Sequence, residues 1–171
     1  GPIHAGYGFH LLSRLEKLQS GTVFYDSKFY DTTDTVEPIV RRLADCGVNM
    51  FTVCVDAGLP TLEAAARAKG AYMKLLGVVT LTSLSPVGFD IWRQGMISLF
   101  SLGYADGMIC SPREVAWFRE EFTREGHLLV ATGVRPSWAE LNDHARSGTP
   151  FYAAEADYLI IGRPVTDHSD P

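Results

Sequence analysis

The chain has 171 residues, 46% hydrophobic and 20% charged, with a net charge of −5. That length suits one sizeable core and is too short for two comfortable domains, and the composition excludes a disordered tail. Lys and Arg are scattered rather than gathered into a stripe, which excludes a nucleic-acid backbone as an expected partner.

Taken in chain order, Ile3–Gly6 reads as an early strand and Leu11–Gln19 as an amphipathic helix. Thr22–Tyr25 is β-branched and aromatic, so it reads as the next strand. It leads into Asp26, Lys28 and Asp31. Alternation along a strand places Asp26 and Lys28 on one face at its C-terminal end. Two such charges suggest a site, although a plain ion pair at a sheet end has the same pattern.

The pattern then repeats. Helical periodicity covers Val36–Cys46, Thr61–Lys69, Asp90–Leu102, Pro112–Glu125 and a short Pro150–Glu155. Strands are expected at Met50–Val55, Leu75–Leu81, Gly107–Cys110, Leu128–Ala131 and Tyr158–Ile161, which makes about seven with the two before them. Ser111-Pro112-Arg113-Glu114 carries a helix start signal, a Ser cap before Pro at the first helical position. Strict β then α alternation implies parallel strands, and near-continuous apolar runs such as 75–79 imply burial on both faces.

A doubly wound sheet and a closed barrel both satisfy this alternation. Polar and glycine-rich clusters follow the strand ends: Asp26/Lys28/Asp31, Asp56-Ala57-Gly58, Thr80/Thr82/Ser83, Ser111, Gly133/Arg135 and Gly162/Arg163. Six contributions suggest one ring at the C-terminal face of a TIM barrel. Gly133-Val134-Arg135-Pro136 and Gly162-Arg163-Pro164 follow the last two strands, where this barrel usually holds phosphate; glycine admits close backbone N–H approach and Arg adds a charged fork. Each is also a plausible turn on its own. The pair on consecutive strand ends favours a phosphorylated small molecule.

Cys46, Cys54 and Cys110 are odd in number, lack metal-like spacing and sit in or beside apolar segments, so buried free thiols in a reducing compartment are expected. No signal-peptide pattern opens the chain, and its most apolar stretch, 75–84, is too short and too rich in Thr and Ser to span a bilayer. The expected location is cytoplasmic.

Together these segments resemble the orotidine 5′-monophosphate decarboxylase family. Its Asp-x-Lys-x-x-Asp signature matches Asp26, Lys28 and Asp31, followed by the Thr-Val of Thr35-Val36. Residues 79–83 resemble its pyrimidine-edge segment, and 106–111 its Asp-Gly-Val-Val-Cys-Ser strand. Gly133 to Pro136, Asp143, Thr149-Pro150 and residues 157–166 track its C-terminal third. Related sugar-phosphate decarboxylases and synthases share the first signature, while the Leu-Thr-Ser and Gly-Val-Arg-Pro segments favour the nucleotide branch.

The resemblance implies decarboxylation of orotidine 5′-monophosphate without metal or cofactor. It implies that Lys28 protonates C6, that Asp26 lies beside the departing carboxylate and orients Lys28, and that Asp31 and Thr35 reach across a homodimer, Thr35 to the ribose. Thr82 and Ser83 would hold the pyrimidine. Gly133, Gly162 and Arg163 would hold the 5′-phosphate, with residues 137–148 as a lid.

Departures from the family pattern are equally specific. The chain opens near the family's second strand, so one barrel domain over 1–171 is expected, lacking the first strand, with its ribose-binding Asp, and the last helix. His4 falls where a Lys of the charged network is expected, and supplies a positive charge only if acidic neighbours raise its pKa above about 6.5. His144 replaces a phosphate-binding Gln of the lid and can still donate an N–H. Thr132 replaces the Pro before Gly133, and Cys54 stands where a His is common. These departures leave two alternatives open, a lyase acting on another phosphorylated substrate and a catalytically silent nucleotide-binding homologue.

Overall fold

A computed structural model describes residues 14, 22–79, 99–121, 126–136 and 148–167. Six strands, β1 (Phe24–Phe29), β2 (Met50–Cys54), β3 (Lys74–Val78), β4 (Gly107–Cys110), β5 (Leu128–Thr132) and β6 (Tyr158–Ile160), form one sheet in sequential order. Every neighbouring pair is parallel. Helices α1 (Thr33–Asp45), α2 (Leu59–Ala68), α3 (Val115–Glu121) and α4 (Arg163–Thr166) lie between or after them. The sheet curls as a part of a TIM barrel, the expected fold class. The strand at Ile3–Gly6 and most of the helices at Leu11–Gln19 and Asp90–Leu102 lie outside the described residues.

Alternation along the strands sorts two layers. Phe51, Val53 and Leu75 pack with Val36, Val40 and Leu43 of α1 and Leu62 and Ala65 of α2, while Met108, Leu129 and Ala131 pack with Val115 and Phe118 of α3. Met50, Leu76, Val78, Ile109 and Val130, on the opposite face, pack among the described residues against other strand residues such as Phe24, Cys54, Leu128 and Ile160. That second layer is a barrel interior.

Most element boundaries differ from the sequence expectation by a few residues, and the helix expected at Pro150–Glu155 is a 3-10 turn over Pro150–Ala153. β1 runs on to Phe29, so Asp26 and Lys28 lie within the strand. α1 begins at Thr33 rather than Val36, because its first turn is polar and the apolar stripe of Val36, Val40 and Leu43 starts later. The expected helix at Pro112 opens as a 3-10 turn, Pro112–Glu114, before α3. Its start signal holds: Ser111 Oγ accepts the Arg113 N–H at 3.2 Å and Glu114 Oε2 accepts the Ser111 N–H at 3.0 Å, a capping box.

At the N-terminal ends of the strands one polar device recurs. Asn49 Oδ1 accepts the Val23 N–H at 2.8 Å, Asp106 Oδ2 the Leu75 N–H at 2.8 Å and Asp157 Oδ2 the Leu129 N–H at 2.6 Å. The two carboxylates are neutralised by Lys69 at 3.0 Å and Arg119 at 2.9 Å. Each acceptor satisfies a backbone donor at the rim of the sheet.

Burial alone would raise the Asp157 pKa, but the Leu129 N–H and the Arg119 guanidinium outweigh it and hold the carboxyl below the usual aspartate value of 3.8. A depressed folded pKa means stability that is complete above the unfolded pKa and lost as pH falls through the folded one. Asp157→Asn is therefore expected to cost about 1–2 kcal/mol near neutrality, less than a fully buried charged bond because both partners are partly exposed. Unfolding midpoints taken from about pH 7 to pH 3 should show the gap to wild type closing below about pH 4. A gap independent of pH would contradict the role of the charge.

Candidate active site

β1 and β2 meet through an irregular ladder. Tyr25 pairs with Phe51 and Phe29 with Val53, so Asp26, Ser27 and Lys28 together stand opposite the single residue Thr52. A bulge of this kind re-aims side chains at a strand end. Lys28 takes φ +46°, the one non-glycine positive φ among the described residues. A left-handed backbone costs a residue with a Cβ about 1–2 kcal/mol, so its surroundings must hold it there.

They do so through hydrogen bonds. The Lys28 N–H donates to Thr52 Oγ1 at 2.7 Å, the Cys54 thiol donates to Lys28 O at 3.5 Å, and Ser27 Oγ donates to Thr52 O at 2.7 Å. The Thr52 hydroxyl in turn donates to Asp26 Oδ1 at 2.8 Å, and Asp26 Oδ2 pairs with Lys28 Nζ. The Lys28 and Asp26 side chains keep 38% and 42% of their exposure, so the pair is open to a ligand rather than sealed in the core. Burial, with Asp56 adding to it, pushes the Cys54 thiol above its ordinary pKa, so it stays neutral beside the pair.

Asp31 follows in the turn before α1. Its Oδ1 accepts the Thr32 N–H at 2.7 Å and its carbonyl accepts the Thr61 hydroxyl at 3.0 Å. It thus engages the starts of α1 and α2 rather than the Asp26–Lys28 pair. Exposed Thr35 lies one turn on, its Oγ1 3.3 Å from that of Thr32. Tyr30, Asp31, Thr32, Asp56 and Thr61 help line a cleft of about 470 Å³ at the starts of α1 and α2.

On the far side of the sheet, Thr132 pairs with Ile160, which sets Gly133 and Gly162 just past neighbouring strand ends. Gly133 has φ +81° and Arg163 is exposed at the start of α4. Arg135 is different: it is only 5% exposed, with Nη1 donating to Val134 O at 3.1 Å. Its turn is pinned where Arg135 N–H donates to Gly148 O at 2.8 Å, the point at which the chain returns from residues 137–147. His4, Thr82, Ser83 and His144 lie outside the described residues.

Sequence reading passed over Thr52. It is a lone polar residue inside Met50-Phe51-Thr52-Val53-Cys54, fully buried and in register with Asp26 once Phe24 pairs with Met50. That interruption of an apolar strand was the available signal. Among the described residues no group of His, Cys, Asp and Glu is placed to hold a metal.

Known proteins resemble this chain in sequence and in fold. The model of the Orotidine 5'-phosphate decarboxylase / HUMPS family matches residues 2–171. An orotidine 5'-phosphate decarboxylase of Nostoc sp. is 37% identical over 175 residues, covering 91% of this chain and 73% of the relative. One from Jannaschia sp. is 36% identical over 181 residues, covering 97% and 77%. Among solved structures, the orotidine 5'-phosphate decarboxylase of Lactobacillus acidophilus superposes with a TM-score of 0.73 at 29% identity, covering 96% of this chain and 76% of that one. That of Pyrococcus horikoshii gives 0.76 at 20% identity, covering 99% and 78%, and supports the fold alone.

Proposed function

Because this chain belongs to the Orotidine 5'-phosphate decarboxylase / HUMPS family, we propose that it converts orotidine 5′-monophosphate to uridine 5′-monophosphate and carbon dioxide, the carboxy-lyase step of pyrimidine synthesis. The observation that carries the reading is the Asp26–Lys28 ion pair, held half-exposed by a bulge at the C-terminal end of a barrel strand. In this reaction the C6–carboxylate bond breaks, its electron pair stays on C6, and a proton from the Lys28 ammonium forms the new C6–H bond. The developing charge has no conventional electron sink, so a fixed ammonium beside C6 stabilises it electrostatically. Asp26 aims Lys28 and lies against the departing carboxylate.

The remaining roles follow the family pattern. Gly133, Gly162 and Arg163 bind the 5′-phosphate, and His144 joins them from the lid. Thr82 and Ser83 hold the pyrimidine edge, and His4 takes the place of the second Lys. The active form is a cytoplasmic homodimer in which Asp31 and Thr35 serve the neighbouring subunit's site; Asp31 Oδ1 accepting the Thr32 N–H, and not a hydrogen bond from Lys28, supports that reading. No helix among the described residues is long and apolar enough to cross a membrane.

Arg163→Ala is expected to weaken uridine 5′-monophosphate binding by ~1.5–3 kcal/mol, the scale of a lost charged hydrogen bond. Titration calorimetry on wild type and variant measures it, and equal affinities would remove Arg163 from the phosphate site. A panel of orotidine 5′-monophosphate and phosphorylated keto-acid sugars tests the substrate; turnover of a sugar phosphate alone would overturn the nucleotide assignment.

A further inference from the structure

Thr52 makes three hydrogen bonds to three successive residues of the bulge opposite it, and each uses a different capacity of the residue. Its carbonyl accepts from Ser27 Oγ, its hydroxyl oxygen accepts from the Lys28 N–H, and its hydroxyl proton goes to Asp26 Oδ1. A threonine hydroxyl has one proton and two lone pairs, so both side-chain roles are met at once. The residue is completely buried, which fixes its rotamer and excludes water as a substitute partner. With Oδ1 so engaged, Asp26 presents Oδ2 to Lys28 Nζ.

We propose that Thr52 is the positioning residue of this site: one hydroxyl holds the Lys28 backbone in its left-handed turn and locks the Asp26 carboxylate with its second oxygen on the Lys28 ammonium. Thr52 itself touches neither substrate nor reacting atom. The catalytic consequence rests on the decarboxylase reading, whereas the geometric claim does not.

Two variants separate the hydroxyl from the shape of the side chain. Thr52→Val keeps the shape and removes both bonds, and Thr52→Ser keeps both bonds. Thr52→Val is expected to lower kcat for orotidine 5′-monophosphate by about 10²-fold, the scale of a misplacement of about 1 Å, with KM within about threefold. Thr52→Ser should recover most of it. Amide hydrogen exchange read by NMR on the same proteins should show the Lys28 amide exchanging at least about tenfold faster in Thr52→Val and protected again in Thr52→Ser.

An unchanged kcat in Thr52→Val would overturn the positioning role, as would equal losses in Val and Ser. If the wild type turns over no orotidine 5′-monophosphate, the decarboxylase reading fails on its own. Lys28 amide protection then decides the geometric claim: loss in Val with recovery in Ser supports it, and unchanged protection overturns it.

Discussion

Lys28→Ala is expected to reduce turnover of orotidine 5′-monophosphate by about 10⁴-fold or more, the upper end for a positioned proton donor that also stabilises charge. On the proposed mechanism two contributions are removed together, the proton delivered to C6 and the positive charge that faces the developing carbanion. Binding of uridine 5′-monophosphate should stay within about threefold, since the proposed phosphate and base contacts lie on other strand ends. Alanine keeps the backbone N–H that Thr52 accepts, so the fold at the bulge is retained. Rapid-quench rates with calorimetric binding check both halves, and turnover persisting within tenfold would remove Lys28 from the chemistry. Mixing Lys28→Ala with Asp31→Ala should restore part of the activity, because a mixed dimer would rebuild one intact site from two subunits; no recovery would contradict Asp31 acting across the interface.

The second large effect concerns stability. A Cβ on Gly107 would lie 2.3 Å from Leu128 O and 2.7 Å from Leu128 Cβ, on the strand that Gly107 pairs with. β4 is held on both sides, by β3 and β5, so it cannot move away from one without leaving the other. In an open strand position Ala would be favoured over Gly by roughly 0.5–1 kcal/mol, so the sign of the effect is set by the clash. Gly107→Ala is expected to cost at least about 3 kcal/mol, because backbone atoms cannot rotate out of the way. Thermal unfolding should fall by roughly 6–12 °C. Gly103→Ala, at φ +70° with nothing within 4 Å, isolates backbone strain and should cost about 1 kcal/mol. Equal losses in the two variants would contradict the close-approach explanation.

Much of this fold is legible in the sequence because parallel strands are apolar on both faces and their helices carry an apolar stripe. Gly107–Cys110 has the predicted bounds, and Met50, Leu128 and Tyr158 are the predicted first residues of their strands. Boundaries slip where polar residues serve structure without periodicity, as in Thr33-Asp34-Thr35 at the start of α1. At the site, the Asp26–Lys28 pairing was legible from alternation, but for an incomplete reason. The ladder between Tyr25 and Phe29 is bulged, and what keeps the pair together is Thr52 on another strand, a contact between residues 26 apart in sequence. Arg135 shows the converse: its Gly-Val-Arg-Pro context suggested a ligand-facing cation, and tertiary packing buried it against its own turn.

The most direct measurement is the fall in orotidine 5′-monophosphate absorbance on incubation with the wild-type chain, with product identified as uridine 5′-monophosphate and Lys28→Ala run beside it. Conversion by the wild type that disappears in the variant is the predicted result. A wild type that binds uridine 5′-monophosphate yet converts no substrate, or a variant that converts it as well as wild type, would contradict decarboxylation through the Asp26–Lys28 pair.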